Sequence, residues 1–174
     1  MTTDSYVQSE FYMEFQSGIN IIKDKETDPF HYALYFSYAV TLMEKYLQDV
    51  FLYEIKNSRE NLVRLATHPK FNSQSVKIPF VLNNSIENYL IDSMKKIVWH
   101  RLNDVDVFFK QVLNIKFNLS GELITKLEIR HHIVHRNSYD MDGNLINITS
   151  NDLEECIKAI SIFVLDVDKK YVAR

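Results

Sequence analysis

Residues 28–51 read DPFHYALYFSYAVTLMEKYLQDVF and predict one long helix. Asp28 is a good N-cap, because its carboxylate can accept a hydrogen bond from the free N–H groups of a first helical turn. Pro29 suits the first helical position, where its missing N–H is not needed. Apolar residues then recur at helical spacing for about seven turns, at Leu34, Tyr38, Val40, Leu42, Met43, Leu47, Val50 and Phe51. This segment therefore indicates an amphipathic helix that packs against other helices.

The composition favours long helices throughout the chain. Only three glycines and three prolines occur among 174 residues, and 46% of the residues are hydrophobic. Few turn residues and a sizeable apolar fraction are typical of a helical protein, here predicted as a single domain covering residues 1–174. Cys156 is the one cysteine, so an intramolecular disulfide framework is excluded. That cysteine usage suits a reducing compartment, and we expect a cytoplasmic protein.

The charge and hydropathy of the chain limit its possible membrane and nucleic-acid partners. No apolar run reaches the roughly 18 residues that span a bilayer, and residues 1–4 lack the basic and apolar segments of a secretory signal, so we expect no membrane partner. The formal net charge is −3, so nucleic acid would have to bind at a local basic patch. Lys95, Lys96, Arg101 and Arg136 are candidates for such a patch.

Further helical segments are predicted on both sides of residues 28–51. They are a first helix from Ser5 to Lys25, a short helix from Ser58 to Ala66, a stretch from Ser85 that breaks near Asn103 and restarts at Asp104, a helix that begins at Ser120-Gly121, and a last helix that ends near Tyr171. Asn151 and Glu154 have the spacing of a capping box for this last helix. A polar loop is predicted through His68, Pro69 and Pro79.

Before the last helix, the apolar period changes from 3.6 toward 2. Residues 139–148 read YDMDGNLINI and predict a small β-hairpin, with its turn at Asp142-Gly143 or Gly143-Asn144. The predicted fold is therefore all-α, an antiparallel helical bundle with a small β-hairpin before the last helix.

Residues 130–137 read RHHIVHRN and hold three of the six histidines, two arginines and no acid. Such a cluster suits chemistry on a phosphodiester, where a proton moves and negative charge must be held. At about 100° per residue, Arg130 lies on one helical stripe with Leu123, Leu127 and Val134, which we expect to face the core. A guanidinium there needs a partner, which could be a carboxylate such as Glu44, a second subunit or a ligand phosphate.

The histidines fall on other sides of the same helix. His131 and His135 are four residues apart and share a flank beside Ile124, whereas Arg130 and His135 are about 140° apart. Two explanations would let Arg130 and His135 act together. Either the helix ends or distorts near His135, or two copies of the motif form one site across a dimer axis.

The stretch Glu128–Asn137 resembles the ribonuclease signature of HEPN domains, in which an arginine, a polar residue and three to five further residues precede a histidine. Arg130, His131 and His135 stand at those positions, although His131 replaces the commoner asparagine or aspartate. Residues 42–47, LMEKYL, are similar to a family helix, and the Gly143 hairpin with the final helix resembles the RiboL-PSP-HEPN or MAE-type branch. The resemblance implies a helical bundle, often dimeric, that cleaves RNA without a metal.

The residue types fit that chemistry. RNA carries its own nucleophile, the 2′-OH, so the enzyme has to move protons and hold the phosphate. We expect His135 to act as general base or acid, Arg130 to bind the phosphate, and His131 to orient one of them. Arg136, Asn137 and His132 are the candidate substrate-binding residues. The expected products are a 2′,3′-cyclic phosphate and a 5′-hydroxyl, with no metal and no cofactor.

The resemblance also implies a setting and partners. We expect a homodimer that acts on RNA as a toxin or antiphage defence effector, with an antitoxin or another regulatory protein as a possible partner. Three alternatives stay open. Arg130 and the histidines could be ordinary structural residues of a bundle. His131 and His135 have the spacing of a helical zinc pair, without an obvious third ligand. The chain could also be a non-enzymatic HEPN interaction or nucleotide-binding module that acts with a partner protein.

Overall fold

The structure, a computed structural model, describes residues 6–25, 28–83 and 85–174, and it confirms the predicted all-α helical bundle. The helices in chain order are α1 (Glu10–Lys25), a 3-10 turn (Pro29–His31), α2 (Tyr32–Asn57), α3 (Arg59–Ala66), α4 (Pro69–Asn72), α5 (Ile78–Asn83), α6 (Ile86–Lys95), α7 (Leu102–Phe108) with a π-helical continuation (Phe109–Leu113), α8 (Gly121–His135) and α9 (Ser150–Val172). None of the described helices is both long and apolar enough to cross a membrane.

The N-cap predicted for the long helix is confirmed, but the helix starts with a tighter turn. The Asp28 carboxylate accepts a hydrogen bond from the N–H of Phe30 at 2.9 Å, and a 3-10 turn precedes α2. Phe36 is fully buried, whereas Leu34 and Tyr38 are 62% and 43% exposed. Leu34 and Tyr38 lie about 160° around the helix from Phe36, so the predicted apolar face was too wide.

The chain divides into two compact units. The first unit is formed by the described residues up to Tyr46 together with Asn118–Arg174, and the second unit is Leu47–Phe117. The first unit therefore holds α1, the first half of α2, α8 and α9. The second unit holds the rest of α2 with α3 to α7. A single domain covering residues 1–174 stays a prediction.

A buried carboxylate ties together the core of the first unit. Asp168 on α9 is fully buried and accepts hydrogen bonds from the hydroxyl groups of Tyr6 and Tyr46, at 2.6 and 2.9 Å. The Oγ and N–H groups of Ser9 donate to the same carboxylate. Burial raises the pKa of Tyr46 first, and the nearby Asp168 carboxylate raises it further, so this hydroxyl stays a donor. The Asp168 carboxylate thus links three parts of the chain, namely the residues just before α1, helix α2 and helix α9.

The predicted capping box of α9 was wrong in position. Thr149 is the N-cap, its Oγ1 accepts from the N–H of Asp152, and the Asp152 carboxylate accepts from the N–H of Thr149. The predicted residue Asn151 instead donates from Nδ2 to Glu155 at 2.9 Å. At the other end of this unit, the predicted start of the first helix at Ser5 lies outside the described residues.

The second unit packs around aromatic rings. Phe51 lies 5.8 Å from Trp99 and 5.5 Å from Phe109, between ring centroids. The predicted polar loop through His68 and Pro79 instead contains α4 and α5. The predicted break near Asn103 comes earlier, between the end of α6 and the start of α7 at Leu102. The π-helical turn ends at Asn114, whose φ of 57° lies in the left-handed region.

The predicted hairpin does not form as two strands. Among the described residues the segment has one isolated antiparallel bridge, between Tyr139 and Leu145. The Asp140 carboxylate accepts from the N–H groups of Asp142 and Asn144, at 2.9 and 2.8 Å, so a side chain takes the place of ladder partners. Tyr139 and Leu145 are also exposed, and a two-stranded ribbon without a covered face is only marginally stable.

Candidate functional site

The last turns of α8 carry residues 130–135 of the cluster, and residues 136–137 follow the helix end. The helix begins where predicted, because the Ser120 Oγ accepts a hydrogen bond from the N–H of Leu123 at 3.1 Å. It ends directly after His135, and the N–H groups of Arg136 and Ser138 both bond to the carbonyl of His132. Asn137 and Ser138 then take positive φ values of 50° and 66°, which turns the chain away from the helix axis.

Arg130 pairs with Glu44, the first of the three partners predicted for it. Its Nη2 lies 3.6 Å from Oε1 of Glu44 on α2, and the two side chains are only 13% and 21% exposed. The Arg130 Nε is buried and has no hydrogen-bond partner among the described residues. Arg130 and Glu44 therefore form a partly buried ion pair in which the Nε donor of the arginine is unused. The pair is not bidentate, with two parallel hydrogen bonds from the guanidinium to the carboxylate.

The histidines occupy the solvent side of the same helix end. The ring centroids of His131 and His135 are 4.8 Å apart, which confirms that the two side chains share a flank. Both residues are exposed, whereas His132 is half-buried and its Nδ1 has no hydrogen-bond partner among the described residues. The His131 ring also lies 5.9 Å from that of His132. Two imidazoles side by side can provide one proton acceptor and one proton donor.

Arg130 and His135 face different directions within one chain. The helix is regular through His135, so the five-residue offset keeps the two side chains about 140° apart around the axis. Arg130 turns inward to Glu44, and His135 is exposed. The structure thus brings together Arg130 with Glu44 and His131 with His135, as two separate pairs.

The remaining candidate residues lie beyond the helix end. Arg136 and Asn137 are both exposed, and Asn137 is in the left-handed region. The carbonyl groups at a helix C-terminus carry partial negative charge, which favours the cationic side chains gathered there. The predicted core stripe ends early, since Leu123 is buried and Val134 is 48% exposed. The helix end therefore projects its cluster outside the packed core.

Lys126, which was not among the residues predicted from the sequence, holds α8 in place. Lys126 is 8% exposed in its side chain, and its Nζ lies 2.8 Å from Oε2 of Glu155 on α9. The hydrogen bond from Lys126, and then the one from Asn151, lower the pKa of the Glu155 carboxyl. Lys126 lies only about 60° around the helix from buried Leu123, so its position on the helix would have identified it.

The part of the chain described here contains no group of three or more His, Cys, Asp or Glu side chains placed to hold a metal ion. His131 and His135 are thus a pair in this structure. Cys156 is buried on α9, and burial raises the pKa of its thiol to about 12, so it is a poor nucleophile.

Comparisons with models of protein families, with curated proteins and with solved structures find no match for this chain. The resemblance to HEPN domains therefore stays a prediction based on residues 128–137 and the segments around them.

Proposed function

We propose that this chain is a metal-independent endoribonuclease whose active site is built on the last two turns of α8. The observation that carries the proposal is the pair of exposed imidazoles, His131 and His135, with ring centroids 4.8 Å apart at a helix end that also carries Arg130 and Arg136. Imidazoles can transfer protons at a phosphodiester, and guanidinium groups can stabilise the negative charge that develops there.

The reaction needs no external nucleophile. The 2′-oxygen of RNA forms a bond to phosphorus, the bond from phosphorus to the 5′-oxygen breaks, and the products are a 2′,3′-cyclic phosphate and a 5′-hydroxyl. His135 takes the proton of the 2′-OH or gives one to the 5′-oxygen, and His131 orients it or carries the second proton. The Arg130 guanidinium stabilises the charge on the phosphorane, and Arg136, Asn137 and His132 bind the flanking RNA.

The site is proposed to be shared between two copies of the chain. On one helix Arg130 and His135 are about 140° apart, so a second copy has to supply one of the two residues at each site. Exposed apolar side chains around the cluster support this assembly: Val134, Met141 and Leu145 are 48%, 76% and 63% exposed. Covering such side chains with a partner stabilises an assembly, because apolar surface is removed from water.

The setting follows from the resemblance alone. A ribonuclease of this kind is proposed to be a cytoplasmic toxin or antiphage defence effector that an antitoxin or another regulatory protein restrains.

One observation favours a second candidate function. Arg130 is paired with Glu44 inside the first unit, as expected for a structural residue. The chain would then be a non-enzymatic interaction or nucleotide-binding module, in which Arg130 stabilises the packing of α8 on α2.

RNA cleavage in the presence of EDTA distinguishes these proposals. Wild type should cleave a mixed RNA and leave cyclic-phosphate ends, and His135→Ala and Arg130→Ala should not. His31→Ala is the matched control, because His31 is a histidine of the first unit outside α8, with a side chain that is 42% exposed. Activity that EDTA abolishes and zinc restores would assign His131 and His135 to a metal site. Folded wild type without any cleavage would favour the interaction module.

A further inference from the structure

The second unit contains a cavity of about 420 Å³ with an unusual concentration of positive charge. Lys70, Lys96 and Arg101 line it, together with His68 and a single carboxylate, Asp104. Three cationic side chains thus meet around one space in a chain whose formal net charge is −3. Two of them, Lys96 and Arg101, belong to the basic patch predicted from the sequence.

Other cationic side chains of the second unit are held in salt bridges. Lys95 lies 2.8 Å from Asp92, and Arg64 lies 2.6 Å from Glu60. Arg59 likewise pairs with Glu87 at 3.0 Å. Lys96 and Arg101 form no salt bridge with any described residue, although Asp104 shares the cavity with them. Their charge is therefore available to an anion that enters the cavity.

His68, which also lines the cavity, has a buried donor. His68 is 7% exposed, and its ring stacks on Phe108 with centroids 4.2 Å apart. The Nδ1 of His68 accepts the N–H of Lys70 at 3.1 Å, so the neutral ring carries its proton on Nε2. That Nε2 is buried without a hydrogen-bond partner among the described residues. Burial first, and Lys70 second, lower the pKa of His68, which keeps the ring neutral and Nε2 a donor. An unsatisfied buried donor calls for an acceptor.

Part of the cavity wall is apolar. Ile97, Val98 and Val107 line the cavity, and the two valines are 42% and 48% exposed. A cavity of this size, with a few convergent polar groups and an apolar side, is typical of a small-molecule site. The cationic and apolar parts of its lining match a ligand with an anionic end and an apolar body.

We propose that this cavity binds an organic phosphomonoester, with the phosphate against Lys96, Arg101 and Nε2 of His68, and the apolar body against Val98 and Val107. A phosphate dianion offers several acceptor oxygens, which match the lysine, guanidinium and imidazole donors. The site lies within Leu47–Phe117, whereas residues 130–137 belong to the first unit, and it does not depend on the ribonuclease proposal.

Calorimetry of the full chain with phenyl phosphate tests this proposal directly, because the probe has both required parts. Wild type should bind it at millimolar or lower concentration, and should bind inorganic phosphate more weakly and phenol not at all. In Lys96→Gln/Arg101→Gln, which changes only exposed side chains, the affinity should fall by about tenfold or more. Lys95→Gln is the matched control, because it removes a neighbouring charge that is paired with Asp92 outside the cavity.

A second readout reports on the buried histidine. Phenyl phosphate should shift the imidazole proton and nitrogen resonances of His68, and it should leave those of His31 unchanged. No binding of phenyl phosphate by wild type would overturn the proposal. An equal loss of affinity in Lys95→Gln and the double variant would also overturn it, since binding would then be non-specific. Equal affinity for inorganic phosphate and phenyl phosphate would refute the role of the apolar wall.

Discussion

Arg130 Nη2 lies 3.6 Å from Oε1 of Glu44, and this pair sets the direction of the arginine that the sequence places in the middle of a histidine cluster. The guanidinium faces α2, while the imidazoles of His131 and His135 lie side by side in solvent. The end of α8 thus holds Arg130 in an inner pair with Glu44, and His131 with His135 as an outer pair. The proposed activity requires the inner arginine of one chain to meet the outer histidine of another.

Replacing Glu44 tests the inner pair. Glu44→Gln keeps the shape of the side chain but leaves the Arg130 charge without a counterion in a partly buried place. We expect the free energy of unfolding to fall by roughly 1–3 kcal/mol, measured as a lower midpoint of urea denaturation. Glu14→Gln is the matched control, because Glu14 and Lys45 form an exposed pair at 3.2 Å, which should contribute less than about 1 kcal/mol. Equal effects of both substitutions would show that Arg130 does not depend on Glu44.

The buried Asp168 carboxylate gives a second prediction. Tyr46→Phe removes one hydroxyl donor to this carboxylate, and the aromatic ring stays in place. Because the acceptor is charged and fully buried, we expect a loss of roughly 1.5–3 kcal/mol in the free energy of unfolding. Tyr38→Phe, at an exposed position of the same helix, should change stability by less than about 0.5 kcal/mol. A silent Tyr46→Phe would mean that the carboxylate is held by other donors alone.

His68 should make the stability of the protein depend on pH. Burial, and then Lys70, lower the pKa of His68 in the folded protein below its ordinary value of 6.5. The unfolded chain therefore takes up this proton at a higher pH than the folded protein does. Stability from the neutral ring is present above that ordinary value and is lost as the pH falls through the lower folded pKa.

The measurement is the free energy of unfolding from about pH 7 to about pH 5 in wild type and in His68→Asn. Asparagine can still accept the N–H of Lys70, but it does not titrate. The wild type should lose more stability across this range than the variant. His31→Asn, at an exposed histidine, should behave like wild type. Parallel curves for wild type and His68→Asn would contradict the assigned pKa shift.

Helical periodicity explains what the sequence could predict. The stripe that contains Leu123, Leu127 and Arg130 is a property of one helix, and so is the four-residue spacing of His131 and His135. These relationships follow from the local chain alone, which is why the inward arginine and the paired imidazoles were predicted correctly. Glu44 was named as one possible partner of Arg130, and the structure pairs the two residues.

Errors arose where one local pattern competed with another. Thr149-x-x-Asp152 and Asn151-x-x-Glu154 both have capping-box spacing, and the structure uses the earlier pair. Residues 139–148 have the pattern of a hairpin, but the Asp140 carboxylate accepts hydrogen bonds from the N–H groups of Asp142 and Asn144. This side-chain turn forms in place of the two strands.

The cavity of the second unit could not be predicted from local patterns at all. The burial of His68 depends on stacking with Phe108, which is 40 residues away in the sequence. Lys96 and Arg101 were candidates for a basic patch, but only the packing of α4, α6 and α7 brings them to one space with Lys70. Long-range packing of this kind leaves no periodic signal.

Mixing two inactive variants tests the central claim most directly. Differently tagged Arg130→Ala and His135→Ala chains are coexpressed, the mixed dimer is purified alongside each parent, and RNA cleavage is measured in EDTA. If each site takes Arg130 from one copy and His135 from the other, the purified mixed dimer should recover about half of the wild-type rate, because one of its two sites is intact, while each parent stays inactive. Cleavage by wild type with no recovery in the mixed dimer would contradict a site composed of two copies.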